Sequence, residues 1–108
     1  MTRYKLSPAA QTDLIDIRRY TLENWGGAQW TNYFGELKQS MALLASNELI
    51  GIDMPELGTG YCRFPLKHHV IYYIRKPDHI VIAAVLGRNM SPAKHFQRQL
   101  YTQVTSRC

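Results

Sequence analysis

Apolar residues recur at helical spacing in the first long segment of the chain. Ser7-Pro8 opens this segment, and serine can cap a helix whose first turn accepts proline. The helix is predicted to end near residues 24–27, where Gly26 and Gly27 can adopt positive φ. The apolar stripe, widened by Ile15 and Leu22, comprises Ala10, Leu14, Ile15, Ile17, Thr21 and Leu22.

A second helix is predicted from about Ala28 to Ser46-Asn47. Its stripe is longer and more aromatic, and we interpret it as core rather than as a ligand site. The short connection between the two helices predicts an antiparallel hairpin. The members of this stripe are Trp30, Tyr33, Phe34, Leu37, Met41 and Leu44.

The remaining apolar runs are short and typical of strands. Strands are predicted over Arg3–Leu6, Tyr61–Leu66, His69–Arg75 and residues 80–86. Pro65 favours an edge position for its strand, whereas residues 80–86 are apolar on both faces and predict a central strand.

Two segments complete the pattern. Residues 47–60 contain three glycines and a proline, and they predict a loop. Ser91-Pro92 repeats the serine–proline helix start, and an apolar stripe at helical spacing follows it, so a C-terminal helix is predicted. That stripe comprises Ala93, Phe96, Leu100 and Val104.

The order of these elements predicts an α+β fold. An N-terminal strand, a two-helix antiparallel hairpin, a three-stranded antiparallel meander and a C-terminal helix pack most simply as a hairpin on one face of a mainly antiparallel sheet. The length of 108 residues suits one domain, covering residues 1–108. We expect the other face of the sheet to carry the basic residues.

Charge is distributed unevenly along the chain. The formal net charge is +5, but residues 1–56 carry −2 and residues 57–108 carry +7, together with all four histidines. A cationic second half favours anionic partners, either nucleic acid or an acidic protein segment. The alternative interpretation is a solvated face that only aids solubility.

Several classes of function are excluded or disfavoured by composition. Residues 80–86 form the longest apolar run and are far shorter than the ~18–20 residues that cross a bilayer, so no membrane association is expected. The polar N-terminus predicts a cytoplasmic protein. Two cysteines without a CxxC motif and two adjacent histidines, His68 and His69, predict no metal site. No cofactor-binding motif is present, so no cofactor is expected.

Three runs of the sequence resemble a known family, in order and spacing. The runs YKLSPAAQTDLIDIRRYTLENWG, YCRFPLKHHVIYYI and VLGRNMSPAKHF resemble the opening, the central segment and the ending of ParE-type toxins of bacterial toxin–antitoxin modules, in the RelE/ParE superfamily. This resemblance implies a helical hairpin on an antiparallel sheet. It also implies a toxin that inhibits DNA gyrase by binding, without catalysis of its own, and is neutralised by a ParD-like antitoxin.

Two alternatives stay open at this point. RelE-type relatives cleave messenger RNA on the ribosome, and basic candidates for such chemistry are Arg63, Lys67, His68, His69, Arg88 and His95. However, Phe96 stands where some RNA-cleaving relatives have tyrosine, and residues 51–60 contain no lysine, so the ParE-like interpretation is favoured. The second alternative is a non-toxic relative that only binds its antitoxin. Direct binding of nucleic acid also stays open.

The predicted site is therefore a binding surface with no catalytic residue. Its basic members, for antitoxin or target, are Arg63, Lys67, Arg75, Arg88 and His95. An antitoxin helix is expected in the outer groove of the hairpin. An acidic antitoxin tail is expected on the basic face of the sheet, against Arg63, Arg75 and Arg88.

Overall fold

The computed structural model describes residues 3–92, which contain two helices and five strands. In chain order these are β1 (Arg3–Leu6), α1 (Pro8–Trp25), α2 (Gly27–Ser46), β2 (Ile52–Asp53), β3 (Tyr61–Leu66), β4 (His69–Arg75) and β5 (His79–Gly87). The predicted α+β fold is confirmed. The predicted C-terminal helix falls on residues beyond 92 and so lies outside the described residues. Neither of the two described helices is long and apolar enough to cross a membrane.

Ser7 fixes the start of α1 and attaches it to the sheet. Its hydroxyl oxygen accepts from the backbone N–H of Ala10 at 3.0 Å, as the predicted cap requires, and Pro8 follows in the first turn. The same hydroxyl donates to the carbonyl oxygen of Ala83 in β5 at 3.0 Å. One serine therefore both caps the helix and orients it on the central strand.

A single residue separates the two helices. Gly26 has φ +91°, and its N–H donates to the carbonyl oxygen of Thr21 at 3.1 Å. A residue other than glycine is disfavoured at this φ. The chain therefore reverses between Trp25 and Gly27, which confirms the predicted hairpin.

The sheet has the order β1-β5-β4-β3-β2. β5 lies between β1 and β4, which confirms the central position predicted for residues 80–86. β1 pairs with β5 in parallel, with Leu6 opposite Ile82, and the other pairs are antiparallel. The connection between these two parallel strands runs through both helices and through β2, β3 and β4.

The segment 47–60 corrects the prediction of a simple loop. Ile52 and Asp53 form the short strand β2, opposite Arg63 and Cys62 of β3. Two residues are too few to produce an alternating pattern, so the sequence carried no signal for this strand. Among the described residues, β2 pairs with β3 only there, so β3 forms the edge of the sheet at Pro65, as predicted.

The main core lies between the helices and the sheet. Fully buried members include Leu37, Met41 and Leu44 of α2 and Ile71, Tyr73 and Ile82 of the sheet. Two details differ from the prediction. Phe34 is half-buried outside this core, where it stacks on Trp30 with ring centroids 5.0 Å apart. Ile15 and Leu22 are exposed, because the two-layer packing covers only a narrow stripe of α1.

The second face of the sheet, opposite the helices, is not mainly basic. Its centre is a buried apolar cluster of Val70, Tyr72, Ala84 and Leu86, with Leu57 packed against it. Arg63 lies on this face, because its neighbours Cys62 and Phe64 point into the main core. Arg75 shares a face with Tyr73 and so lies on the helix side. The expectation of one cationic face is therefore wrong.

Candidate protein-interaction site

The predicted basic residues are divided among three places in the described part of the chain. Lys67 and Arg88 meet at the turn between β3 and β4, Arg63 lies on the second face of the sheet, and Arg75 lies at the opposite end of β4. His95 lies outside the described residues. Of the predicted basic residues that are described, only Lys67 and Arg88 are brought together, at the β3–β4 turn.

The β3–β4 turn is held in place by bonds from two residues, Arg88 and Glu36. The backbone N–H of Arg88 donates to the carbonyl oxygen of His68 at 3.1 Å, and Nε of Arg88 donates to the carbonyl oxygen of Lys67. Nζ of Lys67 pairs with Oε1 of Glu36 in α2 at 2.8 Å. The side chains of both partners are partly exposed, and such a pair contributes about 0–1 kcal/mol. It orients Lys67 more than it stabilises the fold.

Tyr33 anchors the same turn from α2. Its hydroxyl donates to the carbonyl oxygen of Leu66 at 3.3 Å and lies 2.7 Å from Nδ1 of His69. Because a hydroxyl has one proton to donate, both contacts are satisfied when Nδ1 carries its own proton and donates to the hydroxyl. A tyrosine within the apolar stripe could have been suspected of such a role, since a buried hydroxyl needs a partner.

Both members of this pair are neutral near pH 7. Burial raises the pKa of Tyr33 to about 12, with a further contribution from Glu36 that Arg88 opposes. Burial lowers the pKa of His69, and the neighbouring His68 adds to this effect. The anchor is therefore a neutral hydrogen-bonded pair, and the positive charge of the turn resides on Lys67 and Arg88.

A cleft of about 540 Å³ opens beside the turn, between the end of α1, the start of α2 and the β3–β4 turn. We call it the turn cleft. Two of its aromatic side chains, Tyr20 and Trp25, are 62% and 68% exposed. Its lining combines these aromatic rings with donors and includes Tyr20, Trp25, Tyr33, Lys67, His68 and His69. Tyr20 and Trp25 could not be identified from the sequence, because their place in the cleft depends on the β3–β4 turn, which is distant from them in the chain.

Arg75 is used within the fold. One of its terminal nitrogens donates to the carbonyl oxygens of Glu48 and Ile50, both at 2.7 Å. The hydroxyl of Tyr73 also donates to the carbonyl oxygen of Ile50, at 3.0 Å. Arg75 and Tyr73 thus hold the segment that follows α2, and any contact of Arg75 with a partner stays a prediction.

Arg63 has no such use. Its Nε atom is buried, and within residues 3–92 no hydrogen-bond partner reaches it. The two ion pairs found in this part of the chain involve neither Arg63 nor Arg88. Both guanidinium groups therefore lack an acidic partner within residues 3–92.

Other side chains offer little for chemistry. Cys62 is buried, and burial together with the hydrogen bond to Asp53 raises the pKa of its thiol, so the reactive thiolate is disfavoured. Among residues 3–92, no three His, Cys, Asp or Glu side chains are grouped so as to hold a metal ion. The lining of the turn cleft presents a lysine, neutral donors and exposed aromatic rings, which are groups that bind macromolecules.

The fold and the site define a small α+β protein-binding domain, with a helical hairpin on a five-stranded sheet and a cationic turn beside an aromatic cleft. The family described as "ParE toxin of type II toxin-antitoxin system, parDE" matches residues 4–92. The chain belongs to this family and is the toxin component of a toxin–antitoxin module.

Similar proteins agree with this assignment. The chain is 35% identical over 91 residues to Toxin ParE of Escherichia coli, covering 83% of this chain and 88% of that protein. It is 33% identical over 95 residues to Toxin ParE1 of Caulobacter vibrioides, covering 88% and 98%. A solved structure of the chromosomal ParDE TA system from P. aeruginosa has a TM-score of 0.67 at 17% identity, covering 81% of this chain and 96% of that chain, which is a similarity of fold. The family resemblance seen in the sequence is confirmed.

Proposed function

We propose that this toxin inhibits DNA gyrase by binding to it and so blocks replication, without catalysing a reaction itself. The family match over residues 4–92 carries this proposal. The geometry supports it, because Arg63 and Arg88 present guanidinium groups that lack an acidic partner within the described residues. Such groups favour contact with an acidic macromolecular surface. The proposal places the protein in the cytoplasm.

A supercoiling assay with the purified toxin tests this function. We expect gyrase to lose supercoiling activity and cleaved DNA to accumulate as toxin is added. Normal supercoiling at a large excess of toxin, with a native circular dichroism spectrum, would contradict the proposal. A parallel translation assay separates the RelE-like alternative, since ribosome-dependent cleavage of messenger RNA would assign the toxin to that class instead.

We further propose that a ParD-like antitoxin, encoded beside the toxin, neutralises it. The exposed Ile15 and Leu22 lie seven residues apart on α1 and supply an apolar stripe on which an antitoxin helix can dock. Expression of the toxin without its neighbouring gene should arrest growth, and co-expression should restore it. Unimpaired growth with abundant folded toxin would indicate a non-toxic relative instead.

A further inference from the structure

We propose that the turn cleft is a docking pocket for one segment of the antitoxin, in which an acidic side chain meets Lys67 and a neighbouring apolar side chain packs against Tyr20 and Trp25. This inference rests on the proposed pairing of toxin and antitoxin. It adds a second contact beyond the exposed stripe of Ile15 and Leu22.

The aromatic wall of the turn cleft indicates an interaction surface. Tyr20 and Trp25 lie on the last turns of α1, and both rings are mostly exposed to solvent. Exposed aromatic rings at the rim of a cleft are typical of the residues that contribute most to protein–protein binding. Burying these rings against an apolar side chain removes a large apolar surface from water.

The facing wall selects the charge of the partner. Lys67 and His68 line the turn cleft, and no carboxylate is among its described lining residues. Glu36 pairs with Lys67 from outside this lining, and the ammonium has three N–H donors, so it can also donate to a second carboxylate. Arg88 adds another positive charge at the same turn. A carboxylate therefore complements this wall, and a cationic side chain does not.

The β3–β4 turn sets the backbone conformation of Lys67. Its φ is +55°, the only positive φ of a non-glycine residue among residues 3–92. A glycine would adopt this conformation without strain, whereas lysine does so at a cost. A two-residue connection between antiparallel strands requires a positive φ, so the pairing of Leu66 with His69 imposes this conformation on Lys67. Tyr33 and Arg88 hold the backbone of this turn, and the ion pair with Glu36 orients the ammonium of Lys67.

A nucleic acid strand fits the turn cleft less well than an acidic peptide. A strand carries a phosphate at every nucleotide and requires cations in series. Lys67 is the one lysine or arginine in the described lining of the turn cleft, and Arg75 lies at the far end of β4. One peptide carboxylate beside one apolar side chain matches what the cleft offers.

Affinity measurements with the antitoxin encoded by the neighbouring gene test the proposal. We expect Trp25→Ala and Lys67→Gly each to weaken binding by about ten-fold or more, as loss of a central contact does. Matched controls are Leu49→Ala, an exposed apolar residue elsewhere, and Lys5→Ala, an exposed lysine on β1, each expected to change affinity by less than about two-fold. Lys67→Gly relieves strain and should not lower the melting temperature, so its loss of affinity cannot come from unfolding.

Fluorescence of Trp25 locates the contact. Binding of an antitoxin peptide that contains the acidic segment should shift the emission of the wild-type toxin, and Trp25→Phe should remove that shift. Replacing the acidic residues of the peptide by their amides should abolish binding. A shift caused by a single-stranded oligonucleotide, but by none of the antitoxin peptides, would overturn the proposal.

The outcomes separate this proposal from the proposed function. If the antitoxin binds the wild type, Trp25→Ala and Lys67→Gly equally well, the docking pocket is wrong while the toxin–antitoxin pairing stands. If these variants bind antitoxin normally but no longer inhibit gyrase, the turn cleft belongs to the target and the proposal is again overturned. If the antitoxin binds no form of the toxin, both the pairing and the pocket fail.

Discussion

At the scale of single residues, Tyr33 connects the core to the surface. Its ring belongs to the main core, while its hydroxyl reaches Leu66 and His69 at the β3–β4 turn. A change in this side chain is therefore expected to affect both the stability of the fold and the position of Lys67.

Tyr33→Phe removes the hydroxyl and keeps the ring. The carbonyl oxygen of Leu66 and Nδ1 of His69 then lose a partner, and we expect a loss of about 1–2 kcal/mol in the free energy of unfolding. Urea denaturation measures this loss. Tyr20→Phe is the control, because that exposed hydroxyl bonds to none of the described residues, and it should leave stability unchanged. Equal stability of Tyr33→Phe and Tyr20→Phe would contradict the anchoring role of Tyr33.

His69 should make stability depend on pH below neutrality. Its pKa is lowered in the folded protein, so the unfolded chain binds a proton first as the pH falls below about 6.5. The free energy of unfolding should therefore decrease below this pH and approach a constant value below the folded pKa. His69→Asn keeps a polar group near Nδ1 but does not titrate, so it should flatten this decrease.

A third protein, His68→Asn, separates the two causes of the lowered His69 pKa: it removes the contribution of His68 and leaves that of burial, so it should reduce the pH dependence only in part. Denaturation at a series of pH values compares the three proteins. If the free energy of unfolding changes equally with pH in wild type and His69→Asn between neutral and mildly acidic pH, His69 does not cause the pH dependence of stability. The neutral Tyr33–His69 pair would then be wrong.

At the scale of elements, α2 contributes the largest part of the core, but its stripe is uneven. Leu37 is fully buried, whereas Phe34 is half-buried and stacks on Trp30 outside the main core. Both residues share the helical period, and period alone cannot separate them. The difference arises because α2 faces the sheet over only part of the predicted stripe.

Truncation should distinguish these two positions. Leu37→Ala is expected to cost about 2–5 kcal/mol, because it leaves a cavity in a close-packed region. Phe34→Ala should cost less, about 1–2 kcal/mol, since its ring is partly exposed and lies outside the main core. Thermal or urea unfolding gives both values. A melt unchanged by Leu37→Ala would mean that the buried side of α2 is wrongly assigned.

The segment between α2 and β2 depends on a glycine. Gly51 has φ +94°, and a Cβ atom there would lie 1.8 Å from the hydroxyl of Tyr73. Gly51→Ala should therefore destabilise the protein by on the order of 2–4 kcal/mol. Gly35→Ala is the matched control within α2, where a methyl group meets nothing, and it should stabilise by roughly 0.5–1 kcal/mol. If urea denaturation shows Gly51→Ala to be more stable than Gly35→Ala, the described packing of Tyr73 against Gly51 is contradicted.

At the scale of the whole molecule, elements could be predicted from local pattern, and the site could not. Serine–proline, paired glycines and strand alternation are local signals, and they located α1, α2, β1, β3, β4 and β5. The parallel pairing of β1 and the bonds of Tyr33 and Arg75 join residues distant in sequence. The basic residues separate because strand alternation turns Arg63 and Arg75 to opposite faces.

Charge on the second half of the chain should still direct binding. Charge reversal at Arg63 together with Arg88 is expected to weaken antitoxin binding and to reduce its dependence on salt, because both guanidinium groups lack an acidic partner among residues 3–92. Calorimetry across a salt series measures both effects, with reversal of Lys5 as the control. An unchanged affinity and salt dependence in the double variant would count against these contacts.

The most direct test of the central claim is a binding measurement between the purified toxin and purified DNA gyrase. We predict saturable binding that parallels the loss of supercoiling and is reversed by added antitoxin. Absence of binding at a large excess of folded toxin, together with cleavage of messenger RNA in a translation assay, would contradict the account.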